Sequence, residues 1–217
     1  MPFSEEQFFR VFARYNEAVW PAQLVLYGLA ITAVILAARG GAINSRYVSG
    51  ALAVLCAWVA LVYHATFFRE INPAAILFAA LFLVQAALFV WYGVICENVG
   101  ISAKRRGWRA LGTALIAYAL FFYPFIATMS GQRYPAMPTF GLPCPTTIFT
   151  IGVLMWTRST PPIVWIVPIL WALISTQVAV QFAVYEDFGL TLAALAAVGF
   201  VFASRRTRRV NHAPGAV

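Results

Sequence analysis

The chain has 217 residues, of which 62% are hydrophobic and 10% charged, with a mean hydropathy of +0.81 and a formal net charge of +8. Soluble domains carry about 25% charged residues, so this composition excludes a water-soluble enzyme or binding module of ordinary build. The basic excess excludes a nucleic-acid partner too, because the arginines gather at the ends of apolar runs instead of forming one stripe.

The first 17 residues hold Glu5, Glu6, Arg10, Arg14 and Glu17, with no apolar core of the kind a secretory signal requires. They predict a short amphipathic helix over residues 4–16, lying on the outer surface. Ser4 and Gln7 have capping-box spacing, and Phe3 and Phe8 stand at staple positions. Phe8, Phe12 and Tyr15 share one face, with Glu6 and Arg10 set for an i,i+4 pair.

Apolar runs then predict seven transmembrane helices, at about 20–38, 47–68, 73–95, 109–129, 141–157, 161–182 and 188–204. Together they make one all-α membrane domain over 1–217. The fifth run is short and opens on prolines, and charge argues for keeping it. With seven spans, one side collects Arg39, Arg46, Lys104, Arg105, Arg106, Arg109, Arg158, Arg205, Arg206, Arg208 and Arg209. The other side holds Arg10, Arg14, Arg69 and Arg133. The richer side is cytoplasmic by the positive-inside rule, which places the amino terminus outside and the carboxyl terminus inside. "SAKRRGWR" (102–109) and "RRTRR" (205–209) then read as topology anchors. Gly189, Ala193 and Ala197 in the last span form a small-residue row suited to close helix packing.

On this topology the polar residues of the spans lie toward the outer side. His64 lies near the outer end of the second span, followed by Glu70 and Asn72. Cys144, Thr146 and Thr147 open the fifth, and Ser175, Thr176 and Gln177 lie in the outer half of the sixth, before Tyr185, Glu186 and Asp187. "GLPCPTTIF" (141–149) sets two prolines around a thiol ahead of two hydroxyls. Pro143 and Pro145 remove backbone donors, and irregular backbone at membrane depth needs protein or water around it. Broken helix ends of that kind coordinate solutes, and a helix amino end favours an anion. The plainer reading is a first-turn proline with threonine capping. The expected ligand-binding set is His64, Glu70, Asn72, Cys144, Thr146, Thr147, Thr176 and Gln177.

A metal site is not expected. Cys56 and His64 are about 12 Å apart by helical rise, and the cysteine-proline step has threonines, not ligands, beside it. No cofactor is expected either, since the lone lysine, Lys104, sits in a loop and cannot form a Schiff base within the bundle. "NPA" at 72–74 occurs once, whereas a water channel needs two, and Asn72 capping a helix that begins with Pro73 explains it.

"RYNEAVWPAQ" (14–23), "YHATFFREINPAAILF" (63–78) and "PCPTTIFTIGVL" (143–154) together resemble a family of bacterial integral membrane proteins designated domain of unknown function 6064. The resemblance implies a bacterial membrane protein and carries over no catalytic residue. The single lysine among fifteen basic residues suits a GC-rich bacterial genome, with the cell (inner) membrane as the location. The expected function is binding or transport of a small solute or ion through an outward-facing polar pocket, the lipid bilayer being the main partner. The alternative is a non-transporting sensor or accessory subunit of a membrane complex. An intramembrane enzyme has only Cys144 with His64 as a candidate pair, so catalysis is the weaker reading.

Overall fold

Ser4 caps the first helix. Its hydroxyl accepts from the Gln7 N–H, and Gln7 Oε1 accepts in turn from the Ser4 N–H, which starts α1 (Glu5–Val19) as the spacing predicts. The computed structural model describes residues 2–101, 106–182 and 184–211. The apolar face of α1, with Phe8, Val11, Phe12 and Tyr15, is buried. It is covered by protein instead of lying open on the outer surface. Phe8 meets Phe68 edge-on and Phe182 at a tilt, and Tyr15 meets Tyr63 and Phe67 edge-on. Periodicity shows that a helix has an apolar face; it does not show what covers that face.

The remaining helices follow closely on one another. They are α2 (Ala22–Arg39), α3 (Ala42–Trp58), α4 (Ala75–Leu88), α5 (Arg106–Ala117), α6 (Tyr123–Met129), α7 (Pro143–Leu154), α8 (Ile166–Gln181) and α9 (Phe188–Asn211). Three of them change winding. α3 continues as a π-helix over Val59–Phe67, α4 over Phe89–Ile95, and Tyr118–Phe122 joins α5 to α6. Asn72 Oδ1 accepts from the Ala74 N–H two residues on, which turns the chain ahead of α4. The expected cap with Pro73 as first helical residue is not formed, because Ala74 is the N-cap and the helix starts at Ala75. Lys104 and Arg105 lie outside the described residues, as do the side chains of Arg106, Arg205, Arg206, Arg208 and Arg209.

Among the described residues, five helices are long and apolar enough to cross a membrane: Ala22–Arg39, Ala42–Glu70, Ala75–Ile95, Gly107–Met129 and Tyr185–Ser204. Pro143–Leu154 and Pro162–Gln177 are shorter apolar helices. The predicted fifth element, 141–157, is thus corrected to 12 helical residues. At 1.5 Å per residue it reaches about 18 Å, against roughly 30 Å of hydrocarbon. Pro143 and Pro145 set its start, and the chain turns at Met155 into a short strand. Leu24, Val25, Leu77, Leu192, Leu195 and Phe202 are each at least 60% exposed, so the outside of the bundle is greasy where a soluble protein would be polar.

One end of the bundle is tied by a small antiparallel pair, β1 (Gly100–Ile101) with β2 (Thr157–Ser159). Ser45 Oγ, at the start of α3, accepts from the Ile101 N–H there. The other end gathers α1, the turn after α3, the α6–α7 connection and the α8–α9 turn. Gln132 bonds Glu186 there, and Arg14 pairs with Glu70. Both α4 and α7 therefore run from this second end to the β1–β2 end.

α7 is buried along its whole length apart from Cys144. Helices in lipid gain little from hydrophobicity when they associate, so close backbone approach has to hold them. A Cβ on Gly112 would fall 2.5 Å from the Gly152 carbonyl oxygen, and one on Gly152 would fall 2.8 Å from that of Gly112. In α9, Ala193 and Ala197 are fully buried and Gly189 faces the Tyr118 ring, which bears out the small-residue row as packing. Replacing Gly152 with valine should cost roughly 1–3 kcal/mol through overpacking and lower the thermal midpoint in detergent. Gly28→Ala, which meets no atom within 4 Å, should leave the midpoint unchanged or raise it by up to about 1 kcal/mol of stability.

Candidate functional site

A hollow of about 190 Å³ lies between α1 and the first turn of α7. Phe8 and Phe12 of α1, with Phe3 before it, close one side. Tyr63, Phe68 and Phe78 wall another, and Trp171 and Ser175 of α8 a third. Pro143, Cys144 and Pro145 reach it from α7, Tyr123 from α6, and Asp187 from the turn before α9.

Its polar groups converge from separate segments. The Tyr123 hydroxyl donates to the Asp187 carboxylate. The Cys144 thiol lies against Asp187, Ser175 and Trp171, and Tyr63 lines the same hollow. Cys144 is half-buried because it opens onto the hollow. Asp187 is 2% exposed and forms no ion pair among the described residues. A 3₁₀ turn over Tyr185–Asp187 lets neighbouring carboxyl groups part company. Glu186 Oε1 accepts from Gln132 Nε2 at 2.9 Å, and its backbone oxygen accepts from the Tyr118 hydroxyl at 2.8 Å.

Of the expected residues, Asn72, Cys144 and Gln177 line the hollow. The other five do not. His64 is fully buried, ringed by Tyr63, Phe68, Phe78, Phe82 and Trp171 at centroid distances of 5.0–5.8 Å. Four of those rings also line the hollow, so His64 lies directly behind its aromatic wall. Neither of its ring nitrogens has a partner among the described residues. Glu70 is exposed and held in an ion pair by Arg14. Thr146 and Thr147 are buried, because α7 is enclosed on every side and only its Cys144 face meets the opening. Thr176 donates to the Ala172 carbonyl and sits 2.9 Å from Thr191 of α9. The plainer reading of Pro143 and Pro145 as first-turn prolines stands, although neither threonine caps the helix.

Tyr63, Tyr123, Trp171 and Asp187 are the site residues missing from the expected ligand set, although Asp187 stands in the outer polar group of the sequence. Tyr63 and Tyr123 belong to or follow a π segment, where the extra residue per turn redirects side chains. A 3.6-residue period puts them in the wrong place. Asp187 reads as a loop charge in the sequence, since nothing local reports its burial.

The cover is pinned at one end. Asn16, fully buried at the carboxyl-terminal part of α1, donates to the Pro135 and Met137 carbonyls at 2.6 and 2.8 Å. Its Oδ1 accepts from Gln23 Nε2 at 2.6 Å and from Thr139 Oγ1 at 2.7 Å. All four hydrogen-bonding positions of the amide are used. Trp58 Nε1 donates to the Tyr15 hydroxyl at 2.8 Å. The other end of α1 is held to the bundle by ring contacts of Phe3 and Phe8 with Phe68 and Phe182.

The three cysteines report on this arrangement. With a small methanethiosulfonate reagent, exposed Cys96 should react first, Cys144 more slowly, and buried Cys56 last. Phe8→Ala should speed Cys144 modification severalfold and leave Cys56 unchanged. Equal protection of Cys144 and Cys56 in both proteins would show that the hollow is sealed.

The family model for DUF6064, described as a family of unknown function, matches residues 5–212. No curated protein and no solved structure matches the chain. The matched stretch begins at the first residue of α1, takes in every residue of the hollow except Pro2 and Phe3, and reaches just past α9. The chain belongs to the DUF6064 family.

Proposed function

We propose that this is a seven-span bacterial inner-membrane protein that binds a small solute in an outward-facing vestibule closed by α1. The single observation that carries the binding reading is the hollow of about 190 Å³, with its aromatic walls and the hydroxyl, thiol and carboxyl groups that meet there from five segments. Apolar pockets with a few convergent polar groups are the usual form of a small-molecule site. Binding is favoured over open conduction because Ile148, Phe149, Ile151, Val153 and Leu154, deeper along α7, are fully buried in packed core.

Support for seven crossings comes from the direction of the helices. α2, α3, α4, α5 with α6, α7, α8 and α9 alternate between the α1 end and the β1–β2 end. Of the two short members, α7 lies in protein, where irregular flanking backbone is tolerated, while α8 keeps an exposed apolar face at Ile166, Leu173 and Val180. The eleven basic residues that share one side in this topology support a cytoplasmic carboxyl terminus. The sensor reading draws on α1, a cover pinned by Asn16 at one end and held by phenylalanines at the other, which a bound solute would shift.

Two measurements test this. In intact cells an impermeant maleimide should label Glu17→Cys, while Cys96 should need permeabilised membranes; the reverse order overturns the orientation. In a thermal-shift screen of small solutes, compounds that stabilise the wild type should lose their effect in Cys144→Met, which narrows the hollow. Saturation at 100 times Kd adds about 2.7 kcal/mol. An unchanged response in Cys144→Met would place the site elsewhere.

A further inference from the structure

We infer that the solute is a small organic cation, an alkylammonium or quaternary ammonium, held by Asp187 against the aromatic walls. The inference rests on the vestibule reading and names its ligand class. Asp187 is 2% exposed and lines the hollow. Its contacts are the Tyr123 hydroxyl and the Cys144 thiol, both neutral donors. Among the described residues no lysine, arginine or histidine lines the hollow, and their ion pairs lie elsewhere, at Glu6, Glu70 and Glu97. A carboxylate withdrawn from water without a counter-charge is costly, and hydrogen bonds from neutral donors offset that only in part. A cationic guest supplies the missing charge.

The walls fit the same guest. Phe8, Phe12, Tyr63, Phe68 and Trp171 line the hollow with aromatic rings, and aromatic rings attract cations through their quadrupoles. A bare metal ion fits poorly. The lining offers one carboxylate among hydroxyls and a thiol, and among the described residues no three His, Cys, Asp or Glu side chains gather to hold a metal. An anion finds no positive side chain among the described residues of the lining and a carboxyl group already there.

Three probes of one size separate these cases: n-butylammonium, n-butanol and n-butyrate, titrated into the full chain in nanodiscs by calorimetry, with slowing of Cys144 modification as the readout of location. Butylammonium should bind roughly tenfold more tightly than butanol, protect Cys144, and outcompete butyrate entirely. Asp187→Asn should bring the ammonium down to the level of the alcohol. If butanol or butyrate matches butylammonium while protecting Cys144, or if the ammonium preference survives in Asp187→Asn, the cation assignment is overturned and the vestibule stands. If none of the three protects Cys144, the vestibule reading falls and takes the inference with it. The wild-type ranking decides the matter by itself should Asp187→Asn fail to fold.

Discussion

The backbones of α5 and α7 meet at Gly112 and Gly152, so closely that a single methyl on either residue would strike the opposite carbonyl oxygen. This contact allows a 12-residue helix to sit inside the bundle with protein on every side. In a lipid setting there is no hydrophobic gain from bringing greasy helices together, so fit between backbones has to provide the attraction. The position of α7 then sets the site. Its first turn rises under α1, and Cys144, the one α7 residue left partly uncovered, meets the hollow between Pro143 and Pro145.

Around that turn the polar groups divide into two kinds. Asn16 uses every donor and acceptor of its amide to bind the α6–α7 connection and Gln23. A fully satisfied buried network makes a rigid anchor. Asp187, His64 and Glu186 are different. Each is buried, and each keeps charge or hydrogen-bonding capacity without a full set of partners among the described residues. Leaving such groups unmatched costs more than an ordinary hydrogen bond returns. The saturated network holds the cover of the hollow, and Asp187 faces into it.

The π segments link packing to chemistry. Val59–Phe67 carries both Tyr63, which lines the hollow, and His64, which lies behind the wall. Tyr118–Phe122 leads into Tyr123 and orients Tyr118 toward the α8–α9 turn. Wider turns of this sort are frequent at functional sites. Here Tyr118 and Tyr123, on one continuous helix, both bond the α8–α9 turn.

Local chemistry is legible in the order of residues. Ser4 and Gln7 form their capping box, and the long apolar runs become helices with greasy outer faces. Each of these depends on residues a few positions apart. The members of the site depend on distant ones. Thr146, Thr147 and Thr176 face helices that pattern cannot place, Glu70 is taken by Arg14, and Asp187 is buried by Tyr123 from 64 residues away. By itself, then, the sequence determined that this is a helical, membrane-like chain with polar residues collected at one end, because hydropathy and capping are read over one or two turns. Which of those residues share a hollow was decided only by tertiary structure, because burial and encounter are properties of packed helices, and in this chain the packing turns on a pair of glycines 40 residues apart.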